Sequence, residues 1–254
     1  MDHVKGKSIV LTGASRGIGA AAARHLAALG GRVVLAARSE GDISEIAAEI
    51  RADGGDAIAQ ACDVADAGAV KALIDRAVAE FGGLDVIVNN AGLIDPIARL
   101  EESDPEAWAQ VVDVNLKGVY YGMRFAIPAM SGAGTVINIS SGAAIGALEG
   151  WSHYCATKAA VLSLTKCGHK EHGARGITVV GLSPGTVATE MQVQIKESGI
   201  NPVSQLDPGV HIPADWVAQA IAYLCGPGAA AYAGTDFSMK TPEGRAALGL
   251  PAPL

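Results

Sequence analysis

A doubly wound α/β fold is what this sequence predicts: one domain, 1–254, built on a parallel sheet of seven strands with helices on both faces. Three observations carry the expectation. Short β-branched apolar runs alternate with longer Ala-rich stretches along the whole chain, and strands separated by helices at that spacing require crossover connections and a parallel sheet. Each run is apolar without alternation, as burial on both faces demands. A Gly-rich turn joins the first run to the first helix, where such sheets bind phosphate.

In chain order, Ser8–Leu11 reads as the first strand and 17–30 as a helix. Arg32–Ala36 is the second strand, with a helix over 42–53. Ala57–Ala61, the helix 67–81 and the strand Leu84–Asn89 follow. One long helix is expected over 104–130, then the strand Thr135–Ser140, the helix 152–173 and the strand Ile177–Leu182. A helix over 213–225 and a short strand at 235–238 complete the set. The stretch 186–213 carries Pro202, Pro208 and Pro213 and reads as an irregular loop, long enough to serve as a substrate lid. Residues 239–254 form a tail.

Composition removes several function classes. The net charge of −7 and a pI of about 5.3 argue against nucleic acid or an anionic membrane as a partner. No apolar run is long enough to span a bilayer, and the first residues do not read as a signal peptide. Cys62, Cys155, Cys167 and Cys225 include no C-x-x-C pair and are expected to be buried reduced thiols of a cytoplasmic protein. His169 and His172 flank Lys170-Glu171 and read as a solvated helix face; no metal site is expected.

The turn itself is Thr12-Gly13-Ala14-Ser15-Arg16-Gly17-Ile18-Gly19. Glycines there allow a tight turn and close backbone approach to a pyrophosphate, and the helix N-terminus adds N–H donors and a favourable dipole. No Gly-Lys-Ser/Thr follows, which excludes a P-loop kinase. Tyr154 and Lys158 stand four apart at a helix start, on one face. An ammonium beside a phenol favours the phenolate, so this pair is expected to lower the Tyr154 pKa toward the range useful for acid–base catalysis. Ser141 ends the fifth strand, and strand alternation allows only one of Ser140 and Ser141 to face the same site.

In these motifs the chain resembles the short-chain dehydrogenases/reductases, of the NADP(H)-preferring type, over nearly its whole length. Thr12 to Gly19 fits that family's phosphate loop, and Asn89-Asn90-Ala91-Gly92 its N-N-A-G at the end of the fourth strand. Asn115 in Asp113-Val114-Asn115-Leu116, Ser141 thirteen residues before Tyr154, and Tyr154-Cys155-Ala156-Thr157-Lys158 fit the catalytic motifs. Pro184-Gly185 with Thr189 fits the motif after the sixth strand. The resemblance implies a Rossmann-type fold with Asn115, Ser141, Tyr154 and Lys158 as catalytic residues. Tyr154 would exchange a proton with the alcohol or ketone oxygen, and Ser141 would hold that oxygen. Lys158 would also hold the nicotinamide ribose, and Asn115 would position a water that relays protons. A local bond from Asn115 to the backbone four residues earlier is the alternative. Ser140 would then be structural.

The cofactor contacts implied are Gly13, Ser15, Arg16, Gly17, Ile18, Gly19, Arg38, Ser39, Asp63, Val64, Asn90, Ala91, Gly92, Tyr154, Lys158, Pro184, Gly185, Val187 and Thr189. Ala37 stands where NAD-preferring relatives carry a carboxylate, and Arg38 follows it. With Arg16 on the same side, two guanidiniums and no carboxylate suit a 2′-phosphate, so NADP(H) is expected over NAD(H). Ala143, Leu148, Trp151 and Met191 are expected to line the substrate pocket, with a plain core role the alternative for Trp151. The expected reaction is reversible hydride transfer between nicotinamide and a small to medium, mostly apolar ketone or its secondary alcohol. The alternatives are 3-oxoacyl-(acyl-carrier-protein) reduction and a non-catalytic NADP(H) sensor. By family analogy the assembly is a homotetramer or homodimer. The family's last strand usually ends near an Asp-Gly-Gly turn; here the sequence is Gly234-Thr235-Asp236-Phe237-Ser238-Met239-Lys240-Thr241-Pro242-Glu243-Gly244-Arg245.

Overall fold

A computed structural model describes residues 2–253 of the chain. One sheet holds seven strands, β1 (Ser8–Thr12), β2 (Arg32–Ala37), β3 (Asp56–Ala61), β4 (Val86–Asn89), β5 (Gly134–Ile139), β6 (Ile177–Ser183) and β7 (Asp236–Ser238). They lie in the order β3-β2-β1-β4-β5-β6-β7, every neighbouring pair parallel. The order reverses between β1 and β4, which opens a crevice at their carboxyl ends where such sheets bind ligands.

The helices are α1 (Gly17–Ala28), α2 (Glu40–Ala52), α3 (Ala67–Phe81), α4 (Pro105–Val112), α5 (Gly118–Ala129), α6 (Ser152–His172), α7 (Glu190–Ser198), α8 (Ala214–Leu224) and α9 (Pro242–Ala247). Two apolar clusters cover the two sheet faces. One joins Ile9, Leu11 and Leu35 to Leu26, Ile43 and Ile221. The other joins Val10, Ile87 and Val136 to Leu73, Met123 and Val161. α3 shows why its bounds are legible in the sequence. Asp66 caps its start by accepting from the Gly68 and Ala69 N–H groups, and Gly82 ends it at φ 79°.

Four expectations are corrected. The single helix over 104–130 is two, α4 and α5, joined by a π-helical turn at Asp113–Lys117 that contains Asn115. The stretch 186–213 carries α7 and two 3₁₀ turns, and a bridge pairs Val187 with Ile212 at its base. Its backbone polar groups are therefore largely paired within it. Cys167 is exposed and Cys155 half-buried; only Cys62 and Cys225 are buried, and all four are free thiols. His169 is half-buried against Gly173 and Gly234 rather than solvated.

Candidate active site

The crevice begins at the phosphate loop. Gly13 and Gly17 adopt φ of 64° and 54°, a region that favours glycine. A Cβ on Gly13 would lie 2.8 Å from the Ala91 Cα, so the loop and the 89–92 segment meet backbone to backbone. Asn90 makes that junction rigid: its Nδ2 donates to the Thr12 and Gly13 carbonyls at 2.9 and 3.0 Å. Thr12 Oγ1 accepts from the Asn90 and Ala91 N–H groups. The start of α1 has no side-chain cap and no acidic residue in its first turn. Its free N–H groups and positive dipole end are thus left for an anion.

At the end of β2, Ala37 is buried while Arg38 and Ser39 are exposed. Neither Arg16 nor Arg38 pairs with a carboxylate among the described residues. Asp63 turns its Oδ1 back to the Ala65 N–H, and Val64 beside it is buried. On the far wall, Pro184 and Val187 are buried, Gly185 has φ 86°, and Thr189 Oγ1 donates to the Val187 carbonyl. Thr189 also faces Gly17, which a Cβ would bring to 3.2 Å from the threonine methyl. Phosphate loop and β6 loop therefore form two sides of one cleft. A backbone cradle, an uncapped helix end and two unpaired guanidiniums fit a phosphate-rich dinucleotide.

The reactive end gathers Tyr154, Lys158 and Ser141. α6 starts at Ser152 and presents Tyr154 and Lys158 on its buried face, the Lys158 Nζ 5.5 Å from the Tyr154 ring centroid. Ser141 follows β5 and caps a short turn by accepting from the Ala143 N–H at 3.2 Å. Lys158 Nζ donates to the Ile139 carbonyl at 2.7 Å. Ser140 points the other way, its Oγ donating to Asp236 Oδ2 at 2.6 Å, as strand alternation expects.

Burial sets the protonation states. It pushes the Tyr154 phenol up to about 12, with the Ser141 side chain pulling the other way. Burial also lowers Lys158 to about 8, opposed by the negative charge of Asp236. The expectation that Lys158 lowers the Tyr154 pKa is corrected: desolvation raises it, and the opposing pull comes from Ser141. The protein alone holds Tyr154 as a neutral phenol, a proton donor.

For Asn115 the alternative, a local bond to the backbone four residues earlier, is corrected. Its side chain is fully buried; Oδ1 accepts from the Leu93 N–H and Nδ2 donates to the Leu93 carbonyl, each at 2.8 Å. Its side chain makes no bond to its own helix four residues back; both ends of the amide hold Leu93. It locks the 91–97 loop to the α4–α5 junction. His153 adds a second tie, Nε2 donating to the Ile94 carbonyl at 2.7 Å.

The four expected pocket residues fall in one apolar cluster with the tyrosine. Ala143, Trp151, Tyr154, Ile94 and Ile195 are buried there, with Leu148 and Met191 packed against them. Trp151 meets Tyr154 edge to face at 5.5 Å, and its Nε1 is buried without an acceptor. Met191 and Ile195 come from α7, so the 186–213 stretch covers the tyrosine.

The sequence reading missed three supports. Asn89 Nδ2 donates to Asn138 Oδ1 at 2.8 Å, and Asn138 Nδ2 to Thr165 Oγ1 at 3.0 Å, a buried chain linking β4, β5 and α6. Asp236 faces Ser140, and its one sequence signal is a carboxylate opening an apolar strand. Lys240 lays its stem along Gly185.

Fold and site together define a dinucleotide-binding oxidoreductase of the Rossmann type. Comparison with known proteins resolves the family. The short chain dehydrogenase family description matches residues 7–199. A 3-oxoacyl-(acyl-carrier-protein) reductase of Staphylococcus aureus is 42% identical over 192 residues, covering 73% of this chain and 76% of that one. A cis-4-hydroxycyclohexanecarboxylate dehydrogenase of Sinomonas cyclohexanicum is 38% identical over 223 residues, covering 85% and 87%. Among solved structures, a short chain dehydrogenase from Burkholderia cenocepacia in complex with NADP superimposes with a TM-score of 0.82 at 32% identity, covering 93% of this chain and 97% of that one. An actinorhodin polyketide ketoreductase variant with NADPH gives 0.84 at 31%, covering 92% and 95%. The chain belongs to the short chain dehydrogenase family.

Proposed function

We propose that this protein is an NADP(H)-dependent carbonyl reductase, acting reversibly on a ketone/secondary-alcohol pair. The observation that carries the reading is a neutral, buried Tyr154 beside Ser141 and Lys158, in a cleft whose other end presents Arg16 and Arg38 without carboxylate partners. The solved relatives holding NADP and NADPH support the same cofactor.

Arg38, Arg16 and Ser39 would bind the 2′-phosphate, and the α1 N-terminus with Gly13, Ser15, Gly17, Ile18 and Gly19 the pyrophosphate. Asp63 and Val64 would contact the adenine. Asn90, Ala91, Gly92, Pro184, Gly185, Val187 and Thr189 would frame the nicotinamide half. When bound, the nicotinamide supplies or accepts the hydride. Tyr154 gives its phenolic proton to the carbonyl oxygen in reduction and takes it back in oxidation. Ser141 donates a hydrogen bond to the same oxygen. Lys158, charged below its lowered pKa, stabilises the phenolate left behind and holds the ribose hydroxyls. Asn115 acts as a positioning residue through Leu93.

The apolar wall of Ala143, Leu148, Trp151 and Met191 favours a small to medium, mostly apolar ketone, with 186–213 as its lid. A second reading, 3-oxoacyl-(acyl-carrier-protein) reduction, is favoured by the 42% identity to the staphylococcal reductase. Four free cysteines agree with a cytoplasmic setting. A homodimer or homotetramer is proposed by analogy with the family.

The test is NADPH consumption against ketones, diketones and 3-oxoacyl thioesters, with NADH alongside. Turnover of free ketones with NADPH preferred supports the reading. Turnover confined to acyl thioesters would replace it with the second one. Silence on every compound would contradict both.

A further inference from the structure

We propose that Lys240 is a specificity-determining residue that binds an anionic group, a carboxylate, on the substrate; the inference rests on the carbonyl-reductase reading above.

Lys240 stands two residues past β7, where the chain departs from the Asp-Gly-Gly turn usual in this family. Its side chain runs back across the carboxyl ends of the neighbouring strands. The Cγ and Cδ carbons lie 3.1 and 3.6 Å from where a Cβ on Gly185 would stand. The Nζ lies 3.9 Å from the corresponding position on Gly142, the residue after Ser141. The absence of side chains at these two glycines leaves the slot the stem occupies. Gly185 must stay glycine for its backbone, at φ 86°.

The root of this side chain is held firmly. Met239 is fully buried, and its N–H donates to the Ser183 carbonyl at 3.0 Å. Arg245, itself buried in α9, donates from Nε to the Met239 carbonyl at 2.7 Å. The ammonium is left free: no carboxylate among the described residues lies within 4.0 Å of it. Gly142 leads into Ala143, which packs in an apolar cluster with Leu148, Trp151 and Met191, none of which carries charge. In a chain of net charge −7, one unpaired cation beside the residue that follows Ser141 attracts an anion to that place. Ser141 fixes where the reacting oxygen sits, and the ammonium stands beside the next residue. A carboxylate a few bonds from the carbonyl would reach it. A phosphate of the dinucleotide is the competing anion, and the test separates the two.

The experiment compares 4-oxocyclohexanecarboxylate with its methyl ester, with NADPH, in the wild type, Lys240→Gln and Lys240→Arg. The NADPH dissociation constant of each protein is measured in parallel. We expect the wild type to favour the acid and Lys240→Gln to lower kcat/KM for the acid about tenfold, the size of one charge-assisted hydrogen bond. The ester should be unchanged, Lys240→Arg should keep the preference for the acid, and NADPH affinity should hold. Equal loss on acid and ester, no loss on either, or weakened NADPH binding would overturn the proposal. If the wild type reduces neither compound, the reductase reading fails for this class. The inference is then read by tryptophan fluorescence titration of the NADPH-loaded protein. Tighter binding of the acid than the ester, lost in Lys240→Gln, upholds it; equal binding overturns it.

Discussion

The Lys158 ammonium rests on the Ile139 carbonyl oxygen, 2.7 Å away, and this bond aims it beneath the phenol of Tyr154 rather than at it. The contact joins α6 to the last residue of β5, so the helix that carries Tyr154 is tied to the strand that leads into Ser141. A donor with three hydrogens can hold Ile139 and still serve a ribose hydroxyl.

A pH dependence follows from where burial leaves the two groups. Reduction needs Tyr154 protonated and Lys158 charged. Tyr154 stays protonated to about 12, whereas Lys158 loses its charge near 8. The kcat/KM of ketone reduction should therefore fall as pH rises through about 8, and the limb should belong to Lys158. Lys158→Arg, which keeps its charge, should move that limb upward in whatever activity it retains.

Stability shows the same lysine with its own sign. The Lys158 pKa is lower in the folded chain than its ordinary 10.5. Its burial penalty is fully present below about 8 and is relieved as pH rises toward 10.5, because only the unfolded chain then holds the proton. The urea midpoint of Lys158→Met relative to the wild type should be highest at about pH 7 and fall back by about pH 10. A difference constant across that range would show that Lys158 is not desolvated.

Cofactor choice should lie at the end of β2. Arg38→Ala should raise KM for NADPH about tenfold and leave NADH nearly unaffected, since the lost contact is to the 2′-phosphate. Adding Ala37→Asp should move the ratio of specificity constants further toward NADH, because a carboxylate there accepts from free ribose hydroxyls and repels the phosphate. The check is kcat/KM for both cofactors in each variant.

Asn138 carries a load unrelated to chemistry. It accepts from Asn89 and donates to Thr165, all three buried. Asn138→Ala strands a buried donor on Asn89 and opens a polar gap, a loss of about 3 kcal/mol. Chemical denaturation should show it as a lower midpoint at unchanged slope.

The inner strands were legible in the sequence almost residue by residue, because parallel strands buried on both faces write themselves as unbroken apolar runs, whereas the edge strand β3 is half-exposed and carries Gln60. α3 was legible for its Asp66 cap and Gly82 stop. The π turn at Asp113–Lys117 was not, since one extra residue inside a helix barely disturbs a periodicity read over many turns. α7 was hidden because the prolines of 184–213 dominate the local pattern, and its apolar residues Met191 and Ile195 serve the site rather than the main core. Spacing put Tyr154 and Lys158 on one helix face, and the family resemblance set Ser141 beside them; the structure gathers the three side chains. Their pKa values were not legible, because desolvation depends on what packs around a residue, and Trp151, Ile94 and Ile195 come from three separate segments. The tie from Asn115 to Leu93 was invisible for the same reason.

The central claim is that Tyr154 donates the proton in an NADPH-dependent carbonyl reduction. Its most direct measurement is kcat/KM of the wild type and Tyr154→Phe on the best ketone, with NADPH affinity measured on both. Loss of one essential proton donor should lower kcat/KM by a factor of about 10²–10⁴ while NADPH binding stays within about twofold. Retained turnover in Tyr154→Phe would contradict the account.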